Sequence, residues 1–224
     1  MKIIDFFAGV GGLSLGFTGK GAHLVFANDF DKAAAQTFRL NHPNVPFFEG
    51  AIEELTHSKI LETGIDLSNI DVIMGGVPCQ AFSMAGKRIR NSHKDQIDDR
   101  VYLFRHFLRF VQDIRPKVVL IENVRGITSM LEGGVIDEIK HSLEVLGYKV
   151  DWKYLNAADF GAPQMRVRTI ILANRIGVNN LFPKPTHDMN SWLPVSSVLK
   201  DLPDLNHEPR YLTGKALERI SLIG

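Results

Sequence analysis

The chain has almost no cysteine. Cys79 is the single thiol in 224 residues. No disulfide can close within it, which excludes the small disulfide-held scaffolds and fits a reducing intracellular compartment. It also lacks an excess of one charge. With 26 Lys and Arg against 25 Asp and Glu, the formal net charge is +1, so any grip on a polyanion must come from a local basic patch. No run approaches the roughly 18–20 apolar residues of a membrane span. The start, Met1-Lys2-Ile3-Ile4-Asp5-Phe6-Phe7-Ala8-Gly9, looks like a leader peptide for a few residues only, because Asp5 interrupts the apolar stretch and glycines follow. Internal repeats and low-complexity tracts are missing, and no metal site is expected. What remains is an ordinary globular composition, 45% hydrophobic and 23% charged. At roughly 100–200 residues per domain, the length predicts one full domain and a partial one.

Short apolar runs alternate with longer helical periods. Residues 3–7, 24–27, 72–74, 118–121 and 169–173 are strand-length and rich in β-branched side chains. Phe104, Phe107, Leu108 and Val111 follow helical spacing, as do Ile136, Ile139, Leu143 and Leu146. Pro116 stops the first of these helices and Gly147 the second. Apolar strands separated by helices predict a doubly wound, mostly parallel α/β sheet covered on both faces. From Phe182 the pattern changes to a turn-rich, extended segment, with Pro183, Pro185, Pro194, Pro203 and Pro209. The expected organisation is a ligand-binding catalytic domain over 1–180, then a linker and an incomplete further region over 181–224. A last helix is expected at 212–223, and the chain reads as a fragment or as one half of a split protein.

Four motifs fall at predicted strand ends. Asp5-Phe6-Phe7-Ala8-Gly9-Val10-Gly11-Gly12-Leu13-Ser14 runs from a strand into a helix, and its glycines let backbone approach a ligand closely. It is not a full dinucleotide fingerprint. Asn28-Asp29 follows about twenty residues on, where an acid can accept both ribose hydroxyls of an adenosine cofactor; the plainer reading is a solvated loop acid or a helix cap. Gly75-Gly76-Val77-Pro78-Cys79-Gln80-Ala81-Phe82-Ser83 sets the thiol just past a strand, where open α/β sheets bind ligands. Most free cysteines are buried small hydrophobes, but Pro78 and the two glycines read as a sharp turn and favour a reactive thiol. Glu122-Asn123-Val124 is a candidate acid/base site, or else a surface ion pair. In Gln164-Met165-Arg166-Val167-Arg168, alternation puts both arginines on one face, suited to phosphate or a base carbonyl; a solvated strand face is the alternative. Residues 84–99 carry Lys87, Arg88, Arg90, His93 and Lys94, a cationic loop able to grip a polyanion and close as a lid.

In this order and at these strand ends, Phe7-Ala8-Gly9-Val10-Gly11-Gly12, Gly76-Val77-Pro78-Cys79-Gln80, Glu122-Asn123-Val124 and Gln164-x-Arg166-x-Arg168 resemble the cytosine-5 DNA methyltransferases. The resemblance covers about residues 1–185. It implies a Rossmann-like fold binding S-adenosylmethionine, with Phe7, Ala8, Gly9, Val10, Gly11 and Gly12 lining the pocket. Asp29 would hold the ribose, Phe30 and Ile52 would flank the adenine, Gly76 and Pro78 would border the methionine part, and Leu103 would touch the cofactor through its backbone. Cys79 would be the nucleophile that adds to cytosine C6, Glu122 would contact N3 and the amino group, and Arg168 would hold the carbonyl, with Arg166 beside it. Gln80 and Ser83 would position DNA, and residues 84–100 would form the catalytic loop. Thiolate addition makes C5 enamine-like and able to take a methyl group, and a stacked target base must first be flipped out of the duplex.

The resemblance further implies double-stranded DNA as substrate, a bacterial restriction-modification role, and a cytoplasmic location on the nucleoid when DNA-bound. A second polypeptide carrying the recognition region fits the split reading. One departure stands out. Gly50-Ala51-Ile52 replaces an acid that in the family touches the adenine amino group, and Glu49 is the neighbouring substitute. Pro209-Arg210-Tyr211-Leu212-Thr213 and Arg219-Ile220 are similar to a late motif of the family or else begin the recognition region, and the second reading is preferred. Two other functions compete: methylation of tRNA cytosine on the same domain, and a non-catalytic module binding nucleic acid or a partner chain. A nicotinamide dehydrogenase is disfavoured by the glycine spacing.

Overall fold

A computed structural model describes residues 1–17, 21–78 and 103–200. Cys79, Gln80, Ser83, the cationic loop and the expected last helix lie outside them. The described elements are β1 (Lys2–Phe6), α1 (Gly12–Leu15), β2 (His23–Asp29), α2 (Lys32–Asn41), β3 (Phe47–Glu49), α3 (His57–Leu61), β4 (Val72–Gly76), α4 (Leu103–Ile114), β5 (Val118–Val124), α5 (Gly134–Val145), β6 (Lys149–Asn156) and β7 (Val167–Asn174).

The strands form one sheet in the order β3-β2-β1-β4-β5-β7-β6. Pairings from β3 through β5 are parallel, whereas β7 runs antiparallel to both β5 and β6. The expected doubly wound, mostly parallel sheet is therefore present. The strand order reverses between β1 and β4, and crevices at such reversals take ligands at the carboxyl ends of the strands.

Alternation along β1 explains how both sheet faces are covered. Ile4 and Phe6 enter the main core with Phe107, Phe110, Ile121 and Ile139, while Ile3 joins Val72 and Met74 on a second cluster with Leu13 and Phe17. The Phe6 ring stands 4.7 Å from Phe110 and 6.1 Å, edge-on, from Phe107. Burial of each such side chain stabilises the fold by about 1.5–3 kcal/mol. The helical periods at 104–111 and 136–146 correspond to α4 and α5. Arg115, at φ 56°, ends α4 in left-handed backbone just before Pro116, and Gly147, at φ 82°, follows α5.

Gly75 and Gly76 differ from the expectation of a turn, because they are the last two residues of β4. A Cβ on Gly75 would collide with the Phe6 carbonyl and lie 3.2 Å from the Phe107 ring, so glycine is needed for β1 and β4 to close up. Residues 181–200 hold no strand and only one short 3-10 turn, Val195–Ser197. This stretch is fastened to the domain by Asp159, whose carbonyl accepts the Thr186 and His187 N–H groups and whose carboxylate accepts from Trp192 Nε1 at 3.0 Å. Among the described residues, no helix is long and apolar enough to cross a membrane.

Candidate active site

Past β1 the backbone turns through the left-handed region at Phe7 (φ 56°), Gly9 (φ 55°) and Gly11 (φ 87°). Phe7 bears a steric cost of the order of 1–3 kcal/mol that the surroundings must offset. They do so with tethers. Ala8 N–H donates to the Asn28 carbonyl at 2.9 Å, and Gly9 N–H donates to Asp29 Oδ2 at 2.7 Å. The other Asp29 oxygen accepts from Asp31 N–H at 2.9 Å. Asn28 in turn donates from Nδ2 to the carbonyls of Phe48 and Gly50. Asp29 is thus the last residue of β2 and is fixed to the glycine loop, not a solvated loop acid. The helix expected after the glycines is a single turn, α1, with Gly11 as its N-cap.

The cradle above this loop is open. A Cβ on Gly9 or Gly12 would meet no atom within 4 Å. Ile52 is buried and Leu103 packs partly on the same core, while Phe30 is 62% exposed. An open glycine backbone, an anchored acid and an exposed aromatic ring suit an adenosyl group. Glu49 is occupied differently from the expectation: its carboxylate lies 2.7 Å from Arg39 NH1. The acid near Gly50 is Glu54, with Oε2 3.6 Å from where a Gly50 Cβ would stand.

The second, third and fourth motifs meet beside the loop. Gly76 pairs with Glu122 across β4 and β5. A Cβ on Gly76 would stand 3.6 Å from Glu122 Oε2 and 3.8 Å from the Phe7 carbonyl. Arg168 Nε lies 2.9 Å from Glu122 Oε1, and Arg166 NH2 lies 3.6 Å from the same oxygen. Both arginines reach one carboxylate, as their shared face predicts. The pair register, Val124 with Arg168 and Glu122 with Ile170, places them there. Glu122 and Arg168 side chains are each 24% exposed, so the pair is open to a ligand. A carboxyl group that shares a proton with a ring nitrogen and accepts from an amino group, beside a guanidinium that donates to a carbonyl, can hold a planar heterocycle.

Two site residues escaped sequence reasoning. Asn123 is buried; its Nδ2 donates to the Val77 carbonyl at 3.0 Å and its Oδ1 accepts from Val124 N–H at 2.8 Å. It pins the chain one residue before Pro78. Asp5 is fully buried under the glycine loop, where Ser14 Oγ donates to its Oδ2 and its Oδ1 has no partner among the described residues. Burial pushes its carboxyl up to about 7; the Ser14 hydrogen bond works against that, and the Asp29 charge works with it. Alternation along β1 was the available signal, since it sends Asp5 to the face that Ile3 shares with α1.

A sheet reversal holding a glycine loop and a tethered acid is the layout of a Rossmann-like α/β protein, and a half-buried carboxylate–guanidinium pair stands beside the loop. A solved structure described as a DNA modification methyltransferase encoded within a prophage (E. coli) superposes with a TM-score of 0.75 and 29% identity, covering 92% of this chain and 56% of that one. The sequence model for the C-5 cytosine-specific DNA methylases matches residues 1–223, and the chain belongs to that family. It is 38% identical over 195 residues to the type II methyltransferase M.AquIA of Picosynechococcus, covering 83% of this chain and 77% of the relative. It is 36% identical over 230 residues to M1.HphI of Haemophilus parahaemolyticus, covering all of this chain and 61% of the relative.

Proposed function

We propose that this chain is the catalytic part of a bacterial modification enzyme that methylates C5 of cytosine in double-stranded DNA. The observation that carries the reading is the placement of the Glu122–Arg168 pair against Gly76 and the Phe7 carbonyl. The pair on β5 and β7 thus stands beside the glycine loop and beside the end of β4, the strand that the sequence continues through Pro78 to Cys79; this supports reading it as the base-binding part.

S-adenosylmethionine supplies an electrophilic methyl group when bound. Asp29 and the backbone of residues 7–12 hold its adenosine, and Gly76 leaves room for the methionine part. Glu122, protonated, donates to N3 of a flipped cytosine and accepts from its amino group, Arg168 donates to the carbonyl, and the Cys79 thiolate adds to C6, so that negative charge building on the ring is met by the proton at N3; once C5 carries the methyl group, loss of the C5 proton and expulsion of the Cys79 thiolate restore the ring. Gln80 and Ser83 hold the DNA around the flipped base. Restriction-modification is the biological role that fits the type II relatives, in the cytoplasm on the nucleoid. Base readout comes from outside the catalytic domain, either from the region that residues 181–224 begin or from a second polypeptide.

The test is transfer of tritiated methyl from S-adenosylmethionine to DNA and to tRNA, with the recognition part supplied. Transfer to DNA that is lost in Cys79→Ser supports the reading. Transfer to tRNA alone, or transfer that survives Cys79→Ser, overturns it.

A further inference from the structure

We propose that Asn41 and His42, at the end of α2, are positioning residues for the cofactor loop, an inference that rests on the reading above. Asn41 Nδ2 donates to the Val10 carbonyl at 3.0 Å, a link spanning 31 residues of chain. His42 closes α2 through its N–H to the Phe38 carbonyl at 2.8 Å, and its ring lies 4.7 Å from the Phe38 ring. That ring is pressed against Gly11: a Cβ there would collide with His42 Nε2 and stand 2.6 Å from Cδ2. His42 is only 8% exposed, and its Nε2 has no hydrogen-bond partner among the described residues. A polar atom is therefore desolvated at the underside of the loop, which is an arrangement that packing alone would not favour.

The loop is tethered residue by residue. Asn28 holds Ala8 and Asp29 holds Gly9; the end of α2 holds Val10 by a hydrogen bond and Gly11 by contact. Gly9, Gly11 and Gly12 give this backbone wide freedom when untethered. Fixing it before the ligand arrives spares the ligand that ordering cost, which is how preorganisation raises affinity. Asn41 and His42 thus act through the loop and touch no reacting atom.

Equilibrium binding of S-adenosylmethionine to the full chain, measured by calorimetry beside thermal melts, tests this. Asn41→Asp keeps the shape and removes the donor; it should weaken binding by about 3- to 10-fold while the melting temperature moves by no more than about 2 °C, as for an exposed side chain. His42→Ala should weaken binding at least as much, and His42→Phe should restore it by refilling the space under Gly11. Unchanged affinity in Asn41→Asp and His42→Ala overturns the inference alone. Affinity lost only in step with melting temperature, without rescue by His42→Phe, also overturns it and leaves a purely structural role. A wild-type chain that binds no cofactor overturns the functional reading together with the inference.

Discussion

Replacing Asp5 by Asn should remove a pH-dependent load from the fold. In the native protein this carboxyl is buried, has one unpaired oxygen, and is pushed from 3.8 up to about 7. Between these values the folded chain keeps a proton that the unfolded chain releases. Stability therefore falls as pH rises from about 4 to about 7, and above that both states are ionised and the loss is complete. The difference corresponds to about 4 kcal/mol at most. Other acids act in the opposite sense. Hydrogen bonds from Ser68 and Asn69 hold Asp66 below its ordinary range, the Lys117 ammonium holds Asp71 there, and Ser191 holds Asp188 there; their contribution is present above the ordinary carboxylate range and is lost as pH falls. The informative quantity is thus the difference between wild type and Asp5→Asn, which cancels them. Urea melts at pH 4.5, 6 and 8 should show the variant gaining on the wild type by up to about 3 kcal/mol as pH rises. A difference that stays constant across that range would refute a raised Asp5.

Four substitutions probe the site. Glu122→Gln should lower methyl transfer by about 100- to 10,000-fold with little change in the melt, because the amide keeps the side chain's shape and its oxygen still accepts from the half-buried Arg168; steady-state kinetics and calorimetry check this. Asn123→Ala should cost about 1–3 kcal/mol, since it strands the Val77 carbonyl, and denaturant melts read the loss. Gly75→Ala should destabilise the fold through its collision with the Phe6 carbonyl. Gly76→Ala should fold normally but bind S-adenosylmethionine more weakly, because its Cβ meets nothing closer than 3.6 Å in the protein; melts beside binding titrations separate the two.

The central strands were legible because they are apolar on both faces; Ile3, Ile4, Val72, Ile73 and Met74 are all buried. Edge strands were not. β6 buries only Val150 among residues 149–154, so Lys149-Val150-Asp151-Trp152-Lys153-Tyr154 lacks the apolar signal, and β3 has just three residues. α2 buries only Ala35 and Phe38, too few for a helical period, although Asp31 was a readable N-cap and accepts from Ala34 N–H. The direction of β7 is invisible in its composition, because an apolar strand reads alike whether parallel or antiparallel. That direction matters to the site, since it is the antiparallel register that returns Arg168 and Arg166 to Glu122. The motif residues were legible as chemistry; Asn123, Asp5, Asn41 and His42 were not, because their partners are 9 to 46 residues away in the chain.

The central claim is that the strand ending at Gly76 delivers Cys79 to a cytosine held by Glu122 and Arg168. Incubating the enzyme, completed with its recognition part, with S-adenosylmethionine and duplex DNA carrying 5-fluorocytosine tests it directly, because fluorine at C5 cannot leave as a proton does. A protein–DNA adduct that survives denaturation, with the Cys79 peptide carrying the pyrimidine, is the predicted result. An adduct on another residue, or methyl transfer to unmodified DNA with no adduct on the fluorinated duplex, would contradict it.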